Sequence, residues 1–142
     1  MKTALIGATG RAGSEILKEL VRRGHAVTAI VRNPEKVPSS ANVTAKKGDV
    51  FDRAGLTELL KGHDAVVSAV HFMQSDPQIL IDAVMAAGVK RYLVVGGAGS
   101  LEVAPGIAAR GDHAHQVIDA DGLLVTPPFV DAHFHMDATL SY

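Results

Sequence analysis

No cysteine occurs among the 142 residues, which excludes a disulfide, a thiolate nucleophile and any cysteine-ligated zinc or iron–sulfur centre. That absence fits a reducing compartment, and a cytoplasmic location is expected. An excess of charge of either sign is lacking too: 14 Lys and Arg stand against 15 Asp and Glu, a formal net charge of −1. No global field draws such a chain to nucleic acid or to an anionic membrane, and neither is expected as a partner. Long apolar runs are also missing. The first six residues begin like a signal peptide, but Gly7, Gly10 and Gly13 interrupt them well short of an apolar h-region. No stretch approaches the length of a membrane span. What remains suits one compact domain that needs no metal or disulfide staple.

The pattern that is present alternates buried strands with amphipathic helices. Residues 3–6 form an apolar run that meets Gly7-Ala8-Thr9-Gly10-Arg11-Ala12-Gly13, as a strand buried on both faces would. Ile16, Leu17, Leu20 and Val21 follow at helical spacing, with Gly24 placed to end the helix. Ala26–Val31 predicts a second strand, Asn33-Pro34 a short helix start and residues 43–46 a weaker third strand. Asp52 caps a helix through Leu56, Leu59 and Leu60 to Gly62. The unit then repeats: a strand at 65–70, a helix from Asp76-Pro77 to Gly88, and a strand at 92–95 running into Gly96-Gly97-Ala98-Gly99-Ser100. Such alternation predicts an α/β Rossmann-type, doubly wound parallel sheet in the order 3-2-1-4-5.

The glycines carry the chemistry. Their spacing is G-x-x-G-x-x-G, between a buried strand and a helix, where backbone N–H groups and the helix N-terminus can face a pyrophosphate. About twenty residues on, an NAD-specific fold places an acidic residue for the ribose hydroxyls; here Arg32 stands there. An arginine can pair bidentately with a 2′-phosphate, and Arg11 in the glycine loop can assist. NADP(H) is the expected cofactor, with NAD(H) as the alternative. Asp49 and Val50 would border the adenine, and Ala69, Val70 and His71 would face the nicotinamide half. His71 is a candidate acid, or else a polar rim residue with no chemical task.

These residues resemble a family. The glycine loop, Val31-Arg32-Asn33-Pro34, Gly48-Asp49-Val50 and residues 94–101 resemble the atypical short-chain dehydrogenases/reductases, and within them the NAD(P)H-binding group related to flavin and biliverdin reductases. The resemblance covers about residues 1–106. It implies cofactor contacts at Gly7, Thr9, Gly10, Arg11, Gly13, Arg32, Asp49, Val50 and Ala69. It also matches Ser100 to the serine that family carries after the fifth strand, although a loop hydroxyl bonded to backbone would look the same. The usual Tyr-x-x-x-Lys base is absent, since neither Tyr92 nor Tyr142 has a lysine four residues on. Atypical members that reduce flavins or biliverdin-like acceptors do without it.

Beyond about Gly106 the pattern changes. Residues 107–142 hold four of the seven histidines, His113, His115, His133 and His135. Residues 116–142 resemble the N-terminal part of cytosine-deaminase-like amidohydrolases, whose His-x-His pair opens a metal-dependent barrel. Alternation along a strand would put His133 and His135 on one face. The further ligands and the aspartate of such a site are not among these residues, so the pair is expected to be incomplete and any zinc weakly held. The chain therefore reads as a chimera: a nucleotide-binding domain at 1–106 and a tail at 107–142 that is no domain of its own. Residues 117–125 carry a hairpin signal about Asp121-Gly122. After a fifth Rossmann strand, however, residues 107–120 could form the next helix and 123–125 an edge strand. Otherwise Leu123, Leu124, Phe129 and Val130 would stay exposed and favour a homodimer.

The expected function is an NADPH-dependent reductase passing hydride to a small flavin- or quinone-like acceptor. The rival is a non-catalytic nucleotide-binding or redox-sensing protein, or an inactive fusion remnant. A metal-dependent amidohydrolase ranks last.

Overall fold

The computed structural model describes residues 1–71 and 74–96, together with the backbone of 102–104 and 107–108. Five parallel strands form one sheet: β1 (Lys2–Ile6), β2 (Ala26–Val31), β3 (Val43–Lys47), β4 (Ala65–Ser68) and β5 (Tyr92–Val94). Their order is β3-β2-β1-β4-β5, as the alternating pattern predicts. The helices are α1 (Arg11–Arg22), α2 (Arg53–Leu60) and α3 (Pro77–Ala86), with a 3-10 turn at Pro34–Lys36. The chain runs outward from β1 through β2 to β3, then crosses back to set β4 on the other side of β1. The winding reverses between β1 and β4, and ligands of open α/β sheets bind at the carboxyl ends of such a pair.

Each face of the sheet has its own core. Leu5, Val27, Ala29 and Val31 meet Leu17 of α1 on one side, with Ile16, Leu20 and Val21 packed against them. Ala4, Ile6, Ile30, Val66 and Tyr92 meet Leu56 and Leu60 of α2 and Leu80, Ile81 and Val84 of α3 on the other. Each large apolar side chain buried this way contributes ~1.5–3 kcal/mol. The ion pairs are exposed and mostly within one helix, such as Lys18–Glu15 and Lys61–Glu58, and are worth at most about 1 kcal/mol each. Apolar burial on two faces therefore holds the fold.

Local signals set the element ends. After α1, Gly24 adopts φ 76°; its N–H donates to Val21 O at 2.9 Å and that of His25 to Leu20 O at 3.0 Å. This paired closure needs a left-handed residue, which glycine supplies at little cost. β3 is an edge strand, and its exposed Thr44, Lys46 and Lys47 leave it unattractive for pairing with another chain. Among the described residues no helix is long and apolar enough to cross a membrane.

Two expectations shift. β4 ends at Ser68 rather than at residue 70, because there the chain meets the glycine turn: a Cβ on Gly7 would lie 2.8 Å from Ala69 O. The helix expected over 107–120 does not begin at its first residues. Instead β7 (Ile107–Ala108) pairs antiparallel with β6 (Glu102–Ala104). Two residues separate these strands in sequence, so they satisfy each other's backbone locally, before a helix nucleus of higher entropic cost can form. The rest of that segment, the hairpin signal at 117–125 and all of residues 109–142 lie outside the described residues.

One buried polar residue was not singled out by the pattern. His63, at the entry to β4, is buried, with Nδ1 3.0 Å from Leu60 O and Nε2 2.8 Å from Thr28 Oγ1. A carbonyl only accepts, so Nδ1 carries the proton, and Nε2 shares a hydrogen bond with the Thr28 hydroxyl. The ring thereby ties the end of α2 to β2. His63→Leu should lower stability by ~1–3 kcal/mol in urea unfolding, because Leu60 O and Thr28 Oγ1 lose their partner. Adding Thr28→Val should restore part of that loss.

Candidate functional site

The carboxyl ends of β1 and β4 meet around the glycine turn. Gly7 leaves β1 at φ 84°, and its N–H donates to Ile30 O at 3.0 Å. Gly10 N–H closes the turn onto Gly7 O at 3.0 Å, and Ser14 N–H opens α1 by bonding Gly10 O at 2.8 Å. Gly13 sits so close that a Cβ would lie 2.0 Å from Gly7 O. Gly7 and Gly13 are thus demanded by the fold itself: one by its backbone angle, the other by the approach of helix to turn.

Gly10 is different. Its φ of −73° and ψ of 169° suit any residue, and a Cβ there would lie 3.3 Å from Gly7 O, a tight but yielding contact. The fold itself gives little reason for glycine at this exposed position. The helix start differs too. Asp52 caps α2 by accepting from Gly55 N–H, and Asp76 caps α3 by accepting from Gln78 N–H. α1 has no side-chain cap and no acidic residue in its first turn. Ala12 and Gly13 precede the acceptor range of the first helical hydrogen bond, so their N–H groups and the positive end of the helix dipole face outward. An anion fits there.

The other expected residues line the same edge. Arg32 follows β2, exposed and without an ion pair among the described residues. Beside it, Gly48 N–H donates to Val31 O at 3.0 Å, which sets Asp49 and Val50 at the end of β3. Asp49 is exposed, and its Oδ1 accepts from Phe51 N–H at 2.9 Å; Val50 packs half-buried on the core. On the other side Ala69 N–H extends the ladder to Ile6 O at 2.9 Å. Thr9 and Arg11 are exposed in the glycine loop. Gly7, Thr9, Gly10, Arg11, Gly13, Arg32, Asp49, Val50 and Ala69 thus share one sheet edge, with the uncapped start of α1 near its middle.

A family model described as NAD(P)H-binding matches residues 7–125, most of the chain. The chain belongs to the NAD(P)H-binding family. It is 46% identical over 110 residues to the uncharacterized protein YwnB of Bacillus subtilis, covering 72% of this chain and 50% of that protein. Among solved structures, a proposed epimerase from Bacteroides thetaiotaomicron superposes with a TM-score of 0.69 at 45% identity, covering 75% of this chain and 52% of that one. The NADPH-dependent quinone oxidoreductase QOR2 of Escherichia coli, solved with NADPH, superposes with a TM-score of 0.59 at 32% identity, covering 66% of this chain and 36% of that one. The chain therefore spans about half, or less, of the length of these relatives. An amidohydrolase family model also matches residues 116–142, overlapping the end of the first match.

Catalytic candidates are sparser than cofactor-binding ones in this family member. His71 is exposed just past β4, and its carbonyl accepts from Gln74 N–H at 2.9 Å and from the Ser75 hydroxyl at 3.2 Å. Ser100, His133 and His135 lie outside the described residues. Tyr92 is 4% exposed and belongs to the core. Burial pushes its hydroxyl pKa up, and the neighbouring Ser68 hydroxyl opposes this. Ser68 Oγ is itself buried, and among the described residues the Tyr92 hydroxyl is its polar neighbour, although the pair falls short of full hydrogen-bonding geometry; the sequence offered no signal for that pair. Among the described residues no cluster of His, Asp and Glu could hold a metal ion.

The unequal roles of the glycines can be separated by mutation. Gly10→Val should abolish dinucleotide binding while circular dichroism and the thermal midpoint stay close to the parent's. Gly13→Ala should instead destabilise the fold by ~1–3 kcal/mol or more, since backbone must move to admit the methyl group. Unchanged affinity in a folded Gly10→Val protein would put the site elsewhere.

Proposed function

We propose that the chain binds NADPH in preference to NADH and belongs to a reductase that passes hydride to a flat acceptor such as a flavin or quinone. The observation that carries this reading is the uncapped N-terminus of α1 at the point where the sheet winding reverses, beside a glycine the fold does not require. The residues fit the cofactor one by one. The N–H groups at the start of α1 would hold the pyrophosphate, and Arg32 would hold the 2′-phosphate with a planar, bidentate fork. Asp49 keeps one carboxylate oxygen clear of its own backbone bond and would border the adenine with Val50. Ala69 would form the floor under the nicotinamide half. Bound NADPH supplies the hydride. The quinone oxidoreductase among the similar structures supports an acceptor of this class.

Arg32 decides between the two cofactors. A charge-assisted pair is worth ~1.5–3 kcal/mol, so NADPH should bind at least about tenfold more tightly than NADH. Arg32→Asp should remove or reverse that preference. Calorimetric titration of both cofactors reads it directly, and equal affinities in the parent would overturn the assignment.

A second reading, a binding protein with little turnover, is favoured by the amidohydrolase match over residues 116–142, which supports the chimera. Hydride transfer needs donor and acceptor held ~3–3.5 Å apart, and a misplacement of about an ångström can cost a hundredfold. If the amidohydrolase-like segment takes the place of the second wall of the acceptor pocket, NADPH oxidation at saturating flavin should exceed free NADPH plus flavin only slightly. Turnover in the ordinary range of ~1–10³ per second would show a complete reductase site.

A further inference from the structure

The segment between β3 and α2 is pinned by its own backbone and by two carboxylates. Asp49 Oδ1 accepts from Phe51 N–H at 2.9 Å, Asp52 N–H donates to Asp49 O at 3.1 Å, and Asp52 Oδ1 accepts from Gly55 N–H at 3.0 Å. Val50 packs on the core of the α2–α3 side of the sheet. Phe51 follows on this fixed turn with 58% of its surface exposed. It is the one exposed aromatic side chain among the described residues. A single exposed apolar residue is ordinary on a protein surface; its place on the site edge is what distinguishes this one.

That place can be measured from the sheet. Neighbouring strands lie ~4.8 Å apart, so the end of β3 stands about 10 Å from the glycine turn at β1, on the Arg32 side. A dinucleotide with its pyrophosphate on α1 and its 2′-phosphate at Arg32 carries its adenine ring over the end of β3. We propose that Phe51 is the stacking platform for that adenine, an affinity-determining contact of the dinucleotide site; it rests on the cofactor reading above. The ring offers an apolar face to a purine whose own faces are poorly solvated, and the hydrogen-bonded turn holds it there before the ligand arrives. Binding then orders few additional rotors, which favours affinity.

The protein contains no tryptophan, so Phe51→Trp places a single reporter at the site. Titration with 2′,5′-ADP, which has the adenine and 2′-phosphate but no nicotinamide, should quench its emission with the dissociation constant that calorimetry gives. Phe51→Ala should weaken both 2′,5′-ADP and NADPH by about tenfold, within the range of base–aromatic stacking, with an unchanged thermal midpoint. Undiminished affinity in Phe51→Ala, or an unquenched tryptophan when calorimetry shows 2′,5′-ADP bound, overturns the platform and leaves the cofactor site standing. Emission that follows protein concentration instead of ligand makes Phe51 a contact between chains and overturns it also. A parent protein that binds neither ligand overturns the cofactor reading and this inference together.

Discussion

The contact between Gly13 and Gly7 governs the rest of this structure. With no side chain on Gly13, the first turn of α1 comes down onto the carbonyl of Gly7, where a Cβ would be only 2.0 Å away. That approach orients the helix axis toward the end of β1 and lays Leu17 against Leu5, Val27 and Ala29. It also sets the uncapped start of the helix beside the end of β1. A larger residue at position 13 would loosen the core and move the helix start away from that strand end.

The electrostatics of the site follow from what is left undone. Acidic caps neutralise the starts of α2 and α3, while α1 keeps its partial positive charge. Arg32 adds a full charge one strand further along. The chain carries almost no net charge, so this local positive edge stands against a neutral background. Among the described residues, neither the exposed ion pairs along the helices nor the edge lysines of β3 mark a second such place.

The fold depends little on charge. Its two apolar layers are nearly continuous, and His63, the one buried histidine among the described residues, is satisfied by a carbonyl and a hydroxyl. The buried Ser68 hydroxyl beside Tyr92 is a small polar flaw in the α2–α3 layer. It lies directly before Ala69, where β4 gives way to the site, and a less regular interior is tolerated where a strand ends.

Much of this was legible in the residues. Continuous apolar runs, helical spacing and the glycine, aspartate and proline signals at element ends act over a few neighbours, so they located five strands, three helices and the order of the sheet. The glycine loop and Arg32 were legible for the same reason: their chemistry is local. Tertiary contact decided the remainder. Gly10 and Gly13 look alike in sequence, and only the distance to Gly7 O separates the glycine the fold needs from the one it does not. The early end of β4 depends on a turn sixty residues away, and the His63–Thr28 bond joins residues 35 apart. Residues 107–108 read equally well as a helix start, until pairing with 102–104 gave their backbone a nearer partner. Propensity speaks for a segment alone, whereas close approach and pairing depend on which distant residues arrive beside it.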